Sequence, residues 1–85
     1  MNVTINCASI TSREDLHRAF EEALSFPSWY GRNLDALHDQ LTSLSGTIRL
    51  ENWEITESRL GKYGLSAKRA IAHAALKNET LIVIF

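Results

Sequence analysis

The chain has 85 residues, nine of them basic and ten acidic, with a net charge of −1 and one cysteine. This length predicts one domain over residues 1–85, and a lone cysteine excludes an internal disulfide, so we expect folding in a reducing compartment. The N-terminus lacks the pattern of a signal peptide and no apolar run approaches the roughly 20 residues of a membrane span, which predicts a cytoplasmic protein without membrane contact.

The first quarter of the chain predicts a strand followed by a helix. Val3–Ile5 and its flanks predict the strand, and Cys7 beside it is expected to be a small buried residue. Ser12, three residues before Asp15, is typical of a capping box at a helix start. An apolar stripe at helical spacing follows and ends before Pro27. The members of this stripe are Leu16, Ala19, Phe20, Ala23 and Leu24.

The rest of the chain predicts three more helices and two more strands. A helix is expected from about Asn33 to Leu44, and a strand from Thr47 to Glu51. Residues 53–61 predict a short helix ended by a glycine, and a longer helix follows from about Ser66 to Lys77. Its apolar positions are Ala67, Ile71, Ala74 and Ala75. Thr80–Phe85 is a continuous apolar run, which predicts a strand buried on both faces.

Strands separated by helices favour parallel pairing through right-handed crossovers. The predicted element order is β-α-α-β-α-α-β. The predicted fold is therefore of the α/β class, with a three-stranded parallel sheet and four helices.

The helix predicted to begin at Asn33 carries two carboxylates on its solvent side. Its apolar stripe consists of Leu34, Leu37, Leu41 and Leu44. Asp35 and Asp39 fall on the opposite face, with Thr42 beside them. An acid in the first turn is favoured by the helix dipole, whereas Asp39 lies beyond it and repels Asp35 by about 0.2–0.5 kcal/mol. A solvated helix face tolerates such a pair, so spacing alone leaves a purely structural reading open.

The segment before this helix is rich in aromatic residues where an ordinary connector would be polar. Trp29 and Tyr30 stand together, flanked by Pro27 and Gly31. Large aromatic side chains beside a few fixed charges are the usual composition of a protein-binding anchor. The loop and the acidic helix face together predict a surface that binds another protein.

These residues resemble the hallmark of the barstar family, whose members include intracellular inhibitors of the secreted ribonuclease barnase. The family pattern P-x-aromatic-Y-G-x-N-L-D-A-L-x-D-x-L-T is matched without a gap. The matching residues are Pro27, Trp29, Tyr30, Gly31, Asn33, Leu34, Asp35, Ala36, Leu37, Asp39, Leu41 and Thr42. Similarity extends upstream without a gap, at Ile5, Asn6, Ile10, Ser12, Asp15, Leu16 and His17. Downstream the similarity is weaker and has short gaps, at Trp53, Gly64 and the terminal strand.

The resemblance implies the same fold and a non-enzymatic inhibitor that occludes the active site of a small microbial ribonuclease. It implies partner-binding roles for Trp29, Tyr30, Gly31, Asn33, Leu34, Asp35, His38, Asp39, Thr42 and His73. Asp39 would be the principal anchor in the nuclease's phosphate site, Asp35 would pair at the rim, and Trp29 would pack against catalytic groups. The partner would be a cationic ribonuclease toxin, bound 1:1 by a free monomer without cofactor, metal or direct nucleic-acid contact.

The chain also departs from the family pattern. His38 and Leu44 stand where barstar has tryptophan, and the glutamate that barstar's last long helix supplies is missing. Its counterpart here is Ala74, next to His73. These departures predict a target other than barnase, such as a nuclease toxin encoded beside this protein as a toxin–immunity pair. The alternative is a barstar-like module that binds a partner other than a nuclease.

Two other function classes have weaker support. The histidines at 17, 38 and 73 show no metal-ligand spacing and no adjacent nucleophile, although two of them could converge in the fold for acid–base cleavage of RNA. Trp29, Tyr30 and Arg32 could stack on single-stranded RNA, but the neighbouring aspartates would repel phosphate. Residues 1–58 hold nine acids and four bases, and residues 59–85 one acid and five bases. The basic stripe of Arg69, His73 and Lys77 fits a solvated helix face.

Overall fold

The computed structural model of the chain describes residues 1–85. The strands are β1 (Asn2–Asn6), β2 (Gly46–Glu51) and β3 (Leu81–Ile84). The helices are α1 (Arg13–Leu24), α2 (Leu34–Leu41), α3 (Trp53–Leu60) and α4 (Lys62–Lys77), with a 3-10 turn at Cys7–Ser9. β2 lies between β1 and β3 and pairs parallel with both. The predicted α/β fold and its element order are confirmed.

The helices cover only one face of the sheet. Side chains alternate along each strand, and the positions on one face are buried or half-buried. These positions are Val3, Ile5, Ile48, Leu50, Leu81 and Val83. On the other face, Thr4 of β1 is in register with Arg49 of β2, which is in register with Ile84 of β3, and all three are exposed.

The prediction that the C-terminal strand is buried on both faces is wrong. Ile82 is 58% exposed and Ile84 is 40% exposed, because they lie on the face of the sheet that carries no helix, where Arg49 of the central strand is exposed as well. A continuous apolar run cannot by itself distinguish an edge strand of a one-sided sheet from a fully covered strand. No helix of the chain has the length and apolar character needed to cross a membrane.

The predicted apolar stripe of α1 forms part of the core, with one difference in its buried members. Its buried members are Leu16, Phe20 and Leu24. Ala23, predicted for the same stripe, is exposed, whereas His17 is buried at 2% exposure. Ser12 caps the helix as predicted, because its hydroxyl accepts from the backbone N–H of Asp15 at 3.1 Å.

Cys7 is fully buried in the 3-10 turn after β1, as predicted. Burial raises the pKa of its thiol to about 11, with a smaller contribution from the charge of Glu54. The thiol is therefore protonated at neutral pH and unreactive in the folded protein.

Two helix boundaries differ from the predictions. α2 ends at Leu41 and not at Leu44, because the following residues form a tight turn in which the hydroxyl of Thr42 donates to the carbonyl of Asp39 at 2.7 Å. α4 begins at Lys62, four residues before the predicted start. Gly64 in its first turn permits a close approach to α3, since a Cβ there would lie 2.5 Å from the carbonyl oxygen of Glu57.

Candidate functional site

The aromatic loop between α1 and α2 is held by its own backbone and by ring packing. The N–H of Tyr30 donates to the carbonyl of Pro27 at 2.9 Å, which closes a turn around Trp29. The rings of Phe26 and Tyr30 pack with centroids 4.8 Å apart, and both are buried. Trp29 is left pointing outward with 76% of its surface exposed. An aromatic side chain so exposed is typical of a binding surface.

A buried histidine anchors this loop to two helices. Nδ1 of His17 lies 2.6 Å from the hydroxyl of Tyr30, and Nε2 lies 2.6 Å from the hydroxyl of Tyr63 in α4. A neutral imidazole satisfies both contacts, donating through one nitrogen and accepting through the other. Burial lowers the pKa of His17, and the charge of Arg32 lowers it further. Burial also raises the pKa of both tyrosines.

Tyr30 therefore lies in the interior and not on the surface, where its predicted contact with a partner would place it. It is only 5% exposed, so its side chain positions the loop and does not reach the surface. The sequence shows that Tyr30 follows Trp29, but only the fold shows that Tyr30 is buried with its hydroxyl against His17.

The end of the loop is fixed by a charged contact and a helix cap. Arg32 adopts a left-handed backbone conformation with φ of 51°, and its Nε lies 2.9 Å from a carboxylate oxygen of Glu21 on α1. Asn33 caps α2, because its Oδ1 accepts from the N–H of Ala36 at 2.8 Å, as predicted. The Asn33 amide also donates to the carbonyl of Gly31 at 3.3 Å. These bonds set the direction in which α2 leaves the loop.

The outward face of α2 carries the two predicted carboxylates. Asp35 and Asp39 are exposed, while Leu37 and Leu41 on the opposite side are fully buried. Neither aspartate takes part in any of the three ion pairs of the structure. Thr42 is exposed at the end of the helix. Free carboxylates on a rigid helix can accept hydrogen bonds from a cationic partner without first losing an internal ion pair.

Both ends of α2 are tied to the rest of the protein. At its C-terminal end, the side-chain amide of Asn78 donates to the carbonyls of Leu41 and Leu44 at 3.0 and 2.6 Å. Asn78 is only 8% exposed, and it follows α4 directly. Together with the Asn33 cap, this contact holds the acidic face in one orientation.

A groove of about 570 Å³ separates the acidic face from α4. Its lining residues are Leu34, Asp35, His38, Arg69, Ala70 and His73. Across it, Nε2 of His38 lies 2.8 Å from Nδ1 of His73, and the ring centroids are 5.0 Å apart with an interplanar angle of 27°. Two histidines that are 35 residues apart in sequence are thus joined by one hydrogen bond.

The groove also settles which residue of α4 reaches the surface. Ala74, the predicted counterpart of barstar's glutamate, is fully buried, so it cannot contact a partner. His73 beside it is exposed and faces the groove. The burial of Ala74 agrees with the sequence, which placed it on the apolar stripe of α4.

The predicted site residues therefore fall into three sets. The loop and the outer side of α2 carry Trp29, Gly31, Asn33, Asp35, Asp39 and Thr42. The groove is lined by Leu34, His38 and His73, together with Arg69, which was predicted only to lie on a solvated stripe, and Asp35 lines it as well. Tyr30 belongs to the supporting core. No group of three or more His, Cys, Asp or Glu side chains is arranged to hold a metal ion.

Comparison with known proteins shows a family and a curated relative. The family model described as "Barstar (barnase inhibitor)" matches residues 1–81. A protein of Bacillus subtilis (strain 168), named "Putative ribonuclease inhibitor YrdF", is 42% identical over 76 residues, which cover 84% of each chain. The family match spans the loop, the acidic helix and the groove.

Proposed function

Since this chain belongs to the barstar family, we propose that it inhibits a small microbial ribonuclease by covering the nuclease active site. The surface proposed to do so consists of the Trp29 loop and the outer face of α2. The observation that carries the proposal is the pair of exposed carboxylates, Asp35 and Asp39, on a helix fixed at both ends beside an exposed tryptophan.

The chemistry of the target explains why this surface would fit. A ribonuclease cleft binds phosphate, so it concentrates basic side chains in a focused positive field. A fixed carboxylate can occupy such a field as a phosphate mimic, and charge-assisted hydrogen bonds to arginine are among the strong ones. Opposed fields also accelerate association. In this account Asp39 enters the phosphate site and Asp35 pairs at its rim.

Rigidity is the second element of the proposal. Binding costs less entropy when the binding groups are already held in place. The Asn33 cap, the His17–Tyr30 contact and the Asn78 amide hold the loop and helix before any partner arrives. Trp29 then packs against the nuclease's catalytic groups, and Gly31 lets the backbone come close. Tyr30 contributes by positioning the loop.

The α4 residues that line the groove support the proposal of a target other than barnase. Where barstar has an acid in its last long helix, this chain presents His73 and Arg69. A nuclease that places a basic side chain at this point would be bound weakly. We therefore propose a target other than barnase, namely a cationic toxin that this chain binds 1:1 in the cytoplasm of the cell that the chain protects. His73→Glu should then improve binding to barnase and leave binding to the natural target unchanged or weaker.

An inhibition titration tests the proposed function. Labelled RNA is incubated with barnase, or with a nuclease encoded in the neighbouring reading frame, while the purified chain is added in increasing amounts. We expect cleavage by one of these nucleases to stop at one equivalent of the chain. Cleavage that continues at tenfold excess with every small ribonuclease, together with tight binding to a protein that is not a nuclease, would overturn the proposal.

A further inference from the structure

The two walls of the groove between α2 and α4 carry opposite charges. Asp35 lies on the α2 wall, and Arg69 lies on the α4 wall together with His73. Arg69 is exposed and, like Asp35, belongs to none of the three ion pairs. His38 and the apolar residues Leu34 and Ala70 complete the lining. The α4 wall therefore holds an unpaired guanidinium next to an imidazole.

We propose that this α4 wall binds a carboxylate side chain of the partner protein, between Arg69 and His73. This inference rests on the proposed function, because it assigns one contact of the same protein–protein surface. This role differs from that of the aspartates, which are proposed to bind basic side chains of the partner. A partner that fits both walls has a basic side chain opposite α2 and an acidic one opposite α4.

The hydrogen bond between the histidines leaves two ring nitrogens for a ligand, Nδ1 of His38 on α2 and Nε2 of His73 on α4. One proton lies between Nε2 of His38 and Nδ1 of His73, whichever ring carries it. In the neutral pair, the two remaining ring nitrogens are then one N–H donor and one acceptor. Uptake of one further proton on the accepting nitrogen gives each ring one N–H donor outside the bridge and gives the pair a positive charge, and the bridging bond is kept. A bound carboxylate favours this protonated form.

Binding of a carboxylate and uptake of the proton are linked. The charged side chains that line the groove with the pair are Asp35 on α2 and Arg69 on α4. A protonated pair adds a positive charge that attracts a carboxylate, and a bound carboxylate favours that charge. Affinity for a carboxylate should therefore be higher at pH 6 than at pH 8.

A protein carboxylate fits this groove better than a nucleic acid does. The phosphates of RNA form a continuous row of negative charges, and such a row would pass close to Asp35 and Asp39. A single carboxylate can contact the α4 wall alone. Arginine also holds a carboxylate through two parallel hydrogen bonds, which fixes its orientation.

The test uses the free protein and small probes. Isotope-labelled chain is titrated with a blocked Gly-Glu-Gly peptide, with its Gly-Gln-Gly counterpart and with a single-stranded RNA oligonucleotide, at pH 8 and pH 6. We expect the Glu peptide to shift the NMR signals of Arg69 and His73 saturably, and severalfold more tightly at pH 6. The Gln peptide should cause no saturable shift.

Two charge-removing variants on α4 complete the experiment. Arg69→Gln should weaken binding of the Glu peptide by about tenfold or more, whereas Lys77→Gln, on the same helix outside the groove, should leave it unchanged. Equal shifts from both peptides, or full binding by Arg69→Gln, would overturn the inference. Tighter binding of RNA than of the peptide would assign the wall to nucleic acid. None of these outcomes depends on Asp39, so ribonuclease inhibition is tested separately.

Discussion

Replacement of Tyr30 with phenylalanine tests the anchoring of the loop. The change removes one hydroxyl, which lies 2.6 Å from Nδ1 of His17, and keeps the ring against Phe26. His17 is 2% exposed, so water cannot readily replace the lost partner. A buried polar group left unsatisfied costs about 1–3 kcal/mol, and we expect the free energy of unfolding to fall by that amount. In a chain of this size, each kcal/mol lowers the melting temperature by about 4–8 °C.

Tyr63→Phe is the matched control, because it removes the hydroxyl on the other side of the same imidazole. Tyr63 is only half-buried, so water can reach Nε2 and the loss should be smaller. Both variants and the wild type are unfolded with urea at pH 7.5 and followed by tryptophan fluorescence. An unfolding midpoint of Tyr30→Phe equal to that of the wild type, or a larger loss in Tyr63→Phe, would refute the proposed anchoring.

Three further outcomes are expected. Asn33→Ala removes the cap of α2 and should cost about 1 kcal/mol of stability in urea unfolding, while Asn33→Ser should retain most of it. In the folded state the pKa of His17 lies below its ordinary value of 6.5. The stability contributed by neutral His17 is therefore complete above pH 6.5 and is lost as the pH falls through the pKa of the folded state. His17→Gln should therefore lose less stability than the wild type between pH 7.5 and 5, and an equal loss would contradict the assignment. The chain alone should leave labelled RNA intact with or without divalent metal; cleavage abolished by His38→Gln would contradict this expectation.

The sequence was sufficient for the features that depend on local spacing. The element order, the Ser12 and Asn33 caps and the two carboxylates opposite the leucine stripe follow from helical periodicity and short-range hydrogen bonds. The predictions were wrong where burial or an element boundary depends on which other elements pack against the segment. The apolar run at the C-terminus could not reveal that β3 is an uncovered edge strand, and α4 begins early because Gly64 packs against the backbone of α3.

The residues of the candidate site divide in the same way, into those placed by local spacing and those placed by tertiary contacts. Trp29 and Asp39 lie on the surface where sequence reasoning placed them, because their positions depend on one loop and one helix. Tyr30 turned inward, and His38 met His73, because each depends on a residue from a distant part of the chain. Contacts of this kind leave no periodic signal, so they could be found only in the fold.

Substitution of Asp39 tests the central claim most directly. The wild type, Asp39→Ala, Asp35→Asn and the control Glu51→Gln, an exposed acid on the sheet, are titrated against the ribonuclease that the wild type inhibits. We expect Asp39→Ala to raise the inhibition constant by at least about 30-fold, Asp35→Asn to raise it less, and Glu51→Gln to leave it unchanged. The melting temperature of Asp39→Ala should stay constant or rise slightly, since a like-charge repulsion is relieved. Inhibition by Asp39→Ala equal to that of the wild type, or a large loss of its stability, would contradict the account.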